Sequence, residues 1–224
     1  MRLALRSFVA AVSGVAFFGV LLLVPAGTVD YWQAWVFIGV FTVASLVPSA
    51  YLAVHSPEAL RRRLTAGPTA ETRPVQKLVM VGTTASIAVV LVVSALDHRF
   101  GWSTVPLAMV VLGDVAVAAG LVVAQLVVVQ NGYAAATITV EDGQPLVSTG
   151  LYGVVRHPMY AGALVMLAGA PPALDSYWGL VPMLATIPIL AVRIVDEERM
   201  LVTELAGYDA YARRVRYRLL PRVW

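Results

Sequence analysis

Six stretches free of charged side chains, or nearly so, constrain what this chain can fold into. Residues 7–29, 31–57 and 78–96 contain no Asp, Glu, Lys or Arg, and 100–130 contains only Asp114. Two shorter runs follow, 158–174 and 176–192, separated by Asp175. A helix needs about 20 apolar residues to cross the ~30 Å hydrocarbon core of a bilayer. There, every backbone N–H and C=O must find its partner inside the protein. Only 13% of the 224 residues are charged and 59% are hydrophobic, whereas a soluble domain carries about a quarter charged residues. The expected fold is an all-α polytopic membrane bundle of about six helices. The last two form a C-terminal hairpin across Pro171-Pro172-Ala173-Leu174-Asp175-Ser176, and a helical tail follows. The first run lies behind Arg2 and Arg6, as in a signal peptide, but lacks a small-x-small cleavage site and reads as a retained helix.

The distribution of Lys and Arg orients the bundle. With the N-terminus in the cytoplasm and alternating spans, only Arg99 of the sixteen basic residues falls on the outer side. Both termini are then cytoplasmic. The chain divides into two parts, residues 1–129 as two hairpins of membrane helices and residues 130–224 as the region that carries the polar clusters. Cysteine is absent, which excludes disulfides, thiolate metal sites and cysteine nucleophiles. Three histidines far apart give no metal site, and nothing points to nucleic acid. The tail places Leu201, Leu205, Tyr208 and Tyr211 near one helix face with Arg213, Arg214 and Arg216 beyond. That basic end suits anionic lipid headgroups, each cation contributing about 1 kcal/mol near the surface.

So apolar a chain has few places for polar groups, and two dense clusters therefore stand out. The first is Arg156-His157-Pro158-Met159-Tyr160-Ala161-Gly162. A residue before proline is pushed out of the α region and proline is favoured at the first helical position. His157 should therefore cap the fifth span, leaving free N–H groups and a positive dipole end beside Arg156. Gly162 lets something approach the helix closely. The second cluster is Arg193 to Leu201, in which Arg193 and Glu197 are four apart and share a helix face. The hairpin brings the two clusters to the same end. Alternatively, the first is an interfacial belt and the second a solvated ion pair.

The run from Gln144 to Gly162, with Glu197-Glu198-x-x-Leu201, Tyr208, Tyr211 and Arg218-Leu219-Leu220-Pro221, resembles the isoprenylcysteine carboxyl methyltransferases and their bacterial relatives, a family related to the membrane phospholipid methyltransferases. The specific likeness covers about residues 130–224. The loop Arg61-Arg62-Arg63-Leu64, Gly67-Pro68-Thr69, Glu71 and Gln76-Lys77 is more weakly similar to a bacterial branch. The resemblance implies S-adenosylmethionine as methyl donor, held by the C-terminal region without a Rossmann domain. By position, Gln130, Gln144, Pro145, Leu146, Val147, Tyr152, His157, Pro158, Met159, Tyr160, Glu197 and Glu198 match cofactor contacts. Arg193 matches an arginine facing the acceptor, and Arg193, Glu197 and His157 are the candidate catalytic residues. The implied acceptor is lipophilic, a small molecule or a lipidated chain bearing a carboxylate, and the implied location is a bacterial inner membrane.

Other readings compete. A sterol- or enone-type reductase using NADPH would share a similar C-terminal hairpin. A small transporter would use Asp114 and Gln125, eleven residues apart on nearly one face of the fourth span, as an intramembrane path. A lipid-binding scaffold without catalysis is a fourth reading. His55 and His98 read as structural, and Trp32, Trp35, Trp102 and Trp178 as interfacial anchors. Thr137-Ile138-Thr139-Val140 and the segment from Gln144 to Val147 read as extended.

Overall fold

A computed structural model of the chain describes residues 2–64, 71, 73–134 and 137–224. Gly67, Pro68 and Thr69 of the second loop lie outside the described residues. The described residues form eight α-helices: α1 (Arg2–Ala26), α2 (Trp32–His55), α3 (Pro57–Leu64), α4 (Pro74–Phe100), α5 (Leu107–Gln130), α6 (Pro158–Ala173), α7 (Leu180–Glu204) and α8 (Tyr208–Arg214). A single 3₁₀ turn spans Gly150–Gly153. Four helices, within α1, α2, α4 and α5, are long and apolar enough to cross a membrane. Large apolar side chains point outward along them, such as Val24, Val43 and Leu112, each more than half exposed. In water that arrangement would be costly; against lipid it is the expected face. The chain is a polytopic helical membrane protein.

The helices extend past the charge-free runs wherever a partner accommodates the polar residues. The fourth helix begins at Pro74, four residues before the apolar run. There Arg73 donates to both oxygens of Asp196 (3.1 and 2.7 Å). α7 continues to Glu204, well beyond residue 192. It breaks at Leu205 to Gly207, where Gly207 adopts φ 83°. A side chain there would be strained, so the tail turns and α8 folds back. Residues 137–140 and 144–147, read as extended, form no strand. Their backbone lies over the cleft described below, with no neighbouring strand to pair with.

α6 packs chiefly on α5, and α7 chiefly on α4. The α5–α6 contact is backbone on backbone: a Cβ built on Gly113 would come within 3 Å of Gly169 and Ala173, and one on Gly120 within 3 Å of Gly162 and Met166. The two glycine pairs, each seven residues apart, register the antiparallel helices. With Gly120 opposite Gly162, the start of α6 at Pro158 lies level with about residue 124. α5 runs six residues farther, so the N-terminus of α6 is recessed by about 9 Å. That recess makes room for a site.

At the opposite end, polar groups lock the loops. Asp97 accepts from Ser103 N (2.7 Å), Ser103 Oγ (2.6 Å), Ser176 Oγ (2.7 Å) and Trp178 N (3.3 Å). Asp175 accepts from Gln33 and from the Val105 N–H, and the Tyr31 hydroxyl donates to the Leu174 carbonyl. His98 stacks on Tyr31. These acids are structural.

Candidate functional site

The recess above α6 is a cleft enclosing about 830 Å³ of empty space, counting its open mouth. Its floor is the first turn of α6. Its walls are the end of α7 and the start of α8, and its roof is drawn from residues 131–134, 137–139 and 144–147.

His157 caps α6 with an extended φ of −124° and Pro158 opens it, as the Arg-His-Pro order predicts. Neither backbone N–H before the proline is wasted: Arg156 N donates to Tyr217 O and His157 N to Arg218 O, both at 2.9 Å. The closing segment of the chain is thereby tied to the floor of the cleft.

Glu197 and Glu198 take separate roles because adjacent helix positions point about 100° apart. Glu197 faces the cleft. It accepts from the Tyr160 hydroxyl at 2.6 Å, which in turn accepts from Arg193 Nε at 2.8 Å. Tyr160 thus bridges the arginine and the carboxylate. Arg193 also reaches Gln76 Oε1 (3.2 Å) and Glu71 Oε1 (3.5 Å). Gln76, fully buried, donates to Asp196 at 2.5 Å. Hydrogen bonds from Arg73 hold the Asp196 carboxyl below its usual range.

Glu198 turns away from the cleft. It accepts from Arg156 Nε at 2.6 Å and Arg218 Nε at 2.8 Å, and pairs with His157 Nε2 at 3.2 Å. Burial alone would raise its pKa. Hydrogen bonds with His157 and Arg218 and the charges of His157 and Arg156 outweigh that and hold it at about 2. Arg156 also donates to the carbonyls of Ala212, Val215 and Arg216, capping the end of α8.

Of the residues singled out from the sequence, Gln144, Pro145, Leu146, Val147, Tyr152, His157, Pro158, Met159, Tyr160, Arg193 and Glu197 line the cleft. Gln130 and Glu198 do not. Gln130 braces the roof, donating to Thr149 O and accepting from Leu151 N. Asn131, Tyr133, Thr137 and Thr139 also line the cleft without having been singled out. The only hint was the run of polar residues between two apolar helices. Tyr208 and Tyr211 complete the wall. The Tyr211 hydroxyl donates to the Tyr152 carbonyl at 2.8 Å, whereas the buried Tyr208 hydroxyl has no partner among the described residues. Burial pushes both phenols well above their usual pKa, so at neutral pH each is a donor. Asp114 and Gln125 lie elsewhere, half-buried in α5. The described residues hold no group of ligands suited to a metal.

Residues 108–206 match the model of a family described as phospholipid methyltransferase. A stretch of 93 residues is 33% identical to the Delta(14)-sterol reductase of Mus musculus, covering 39% of this chain and 22% of that protein. The chain thus spans about a fifth of the length of this curated relative. The family match takes in all of α5 but its first residue, the roof of the cleft, α6 and all of α7.

Proposed function

We propose that the protein is an integral membrane methyltransferase that uses S-adenosylmethionine and acts on a lipophilic acceptor, with the cleft above α6 as the donor site. The observation that carries this reading is the lining of the cleft. It joins an apolar wall (Pro145, Leu146, Leu201, Leu205) to a carboxylate, Glu197, and an unpartnered phenol, Tyr208. This set suits a ligand that is aromatic at one end and cationic with an amino acid group at the other. Glu197 would face the amine or the sulfonium, Tyr208 would supply the missing hydrogen bond, and Tyr152 and Tyr160 would offer ring faces to the positive sulfur. When bound, S-adenosylmethionine supplies a methyl group already activated by a positively charged sulfur. The family match over residues 108–206 agrees with this chemistry.

The remaining task for the protein is alignment and exclusion of water. The recess, the roof at residues 137–147 and the folded-back α8 shield the reacting centre. A carboxylate acceptor needs no general base, and Arg193, held by Tyr160 and Gln76, offsets its charge from a fixed position. An amine or hydroxyl acceptor would need proton removal, with Glu197 or His157 at hand.

The sterol reductase similarity favours a second reading, a reductase using NADPH. A dinucleotide carries several phosphates and needs unengaged cations. The arginines lining the cleft, Arg156 and Arg193, are both held by protein acceptors. Calorimetric titration of the detergent-solubilised protein with S-adenosylhomocysteine and NADPH separates the two. Saturable binding of the first alone is expected. Binding of NADPH alone overturns the methyltransferase reading.

A further inference from the structure

Six arginines with described side chains are buried or partly buried. Five of them meet a carboxylate: Arg62 with Glu141, Arg73 with Asp196, Arg156 and Arg218 with Glu198, and Arg193 with Glu71. Arg63, in the last turn of α3, is the exception. Among the described residues its hydrogen bond goes to Met159 Sδ, at 3.4 Å. A thioether is a weak acceptor. The undescribed residues contain no Asp or Glu, so no hidden carboxylate pairs with Arg63. Burial lowers the pKa of its guanidinium against an opposing influence from Tyr160, the cost expected of a cation taken from water without a carboxylate partner.

The position of this cation is informative. α3 stands between two cavities. On one side Met159, which Arg63 touches, lines the donor cleft. On the other, the next residue, Leu64, lines a groove of about 550 Å³, counting its open side, between α1 and α2. That groove is lined by small and apolar residues, among them Ala10, Gly14, Phe18, Phe41 and Ser45. Phe18 and Phe41 also border a second hollow of about 710 Å³, counting its open side, that reaches α4 and α6. The apolar groove therefore reaches Leu64, one residue along α3 from a cation without a carboxylate partner, and that cation touches Met159 at the floor of the donor cleft.

We infer that Arg63 binds the anionic group of an amphiphile whose hydrocarbon chain lies along the α1–α2 groove, and that this amphiphile is the methyl acceptor. The first half stands on the groove and the cation; the second rests on the methyltransferase reading. Charge complementarity selects the occupant, because a neutral lipid would leave Arg63 unpaired. With a carboxylate acceptor, its oxygen bonds to the methyl carbon as the carbon–sulfur bond breaks, and the electron pair stays on sulfur. No proton moves. The product ester is neutral, so the charge that held it at Arg63 is gone and it leaves along the groove.

The test uses the full chain in phosphatidylcholine nanodiscs, with cis-parinarate, a fluorescent fatty acid, as probe and S-adenosylhomocysteine binding measured in parallel. Saturable binding at one site per chain is expected, displaced by oleate and at least about tenfold less well by methyl oleate. Arg63→Gln should remove this preference for acid over ester, and Arg63→Lys should restore part of it. Gly14→Leu, whose added atoms point into open space, should weaken acid and ester alike. S-adenosylhomocysteine affinity should persist in all three variants, which controls for folding. Lysophosphatidate outcompeting oleate would assign the anion to a phosphate headgroup, and the reverse to a carboxylate; both support the anion site. Equal displacement by methyl oleate, or unchanged probe binding in Arg63→Gln, overturns it and leaves ordinary boundary lipid. An acid preference that depends on Arg63, in a protein that does not bind S-adenosylhomocysteine, would sink the methyltransferase reading while leaving the anion site intact.

Discussion

Glu197 and Glu198 are neighbours in sequence, yet one faces a ligand cleft and the other ties down the tail. Glu198 gathers Arg156, Arg218 and His157 and so joins α6, α7 and the C-terminal segment. Its folded pKa of about 2 lies below the ordinary 4.5. A depressed carboxylate stabilises the fold fully above its unfolded value. That contribution, about 3 kcal/mol at neutral pH, should therefore be lost as pH falls from about 4.5 towards 2. Thermal unfolding followed by circular dichroism should show this loss in wild type. Glu198→Gln should melt lower at pH 7, by about 3 kcal/mol, and show a flatter acid limb; an unchanged acid limb would refute the assignment. Tyr208 makes the contrasting case. Its hydroxyl has no partner among the described residues, so Tyr208→Phe should cost no stability. If that hydroxyl serves a ligand, the same change should weaken S-adenosylhomocysteine binding by about three- to tenfold. Equal affinity for both proteins would remove Tyr208 from the donor site.

The recessed N-terminus of α6, which creates the cleft, is set by its register on α5. Gly120 and Gly162 meet backbone to backbone, so Gly120→Leu should push α6 off α5. Overpacking of this kind costs about 1–3 kcal/mol or more, and it should also displace Pro158 and Gln130 and with them the donor cleft. Lower thermal stability together with lost S-adenosylhomocysteine affinity is the expected pair, whereas Gly39→Leu, in open space, should show neither. Much of this element layout was legible from the sequence. Charge-free runs located the long helices, and Arg-His-Pro located the start of α6, because hydrocarbon and proline each permit few alternatives. Helix ends were less legible. α4 and α7 extend through polar residues whose partners, Arg73 with Asp196 and Gln76 with Arg193, lie more than 110 positions apart. The polar clusters pointed to the floor and one wall of the cleft. The roof residues Asn131, Tyr133, Thr137 and Thr139 have no periodicity, and only the folded chain brings them over the floor. Asp114 and Gln125, prominent in the sequence, are absent from the cleft lining.

The whole molecule is asymmetric from end to end. One end carries the cleft, Arg63, the Glu198 cluster and the basic tail. The other is closed by Asp97, Asp175 and Tyr31, whose bonds are satisfied within the protein. A donor with a charged sulfur and an amino acid group is confined to water, whereas an apolar chain arrives through lipid. A cleft open to solvent, with the α1–α2 groove on the other side of α3, would be reachable by both. We propose that this end faces the cytoplasm, the side on which the Lys and Arg distribution would put it and where such a donor would be found. Because the chain has no cysteine, this orientation can be tested without background. Thr104→Cys lies exposed at the closed end, and Ala206→Cys lies exposed between α7 and α8 at the cleft end. A membrane-impermeant maleimide added to sealed right-side-out vesicles should modify the first and spare the second, and inverted vesicles should reverse the pattern. Labelling of Ala206→Cys from outside would place the cleft on the wrong side of the membrane for a cytoplasmic donor, and would count against methyl transfer even if the cleft binds S-adenosylhomocysteine in detergent.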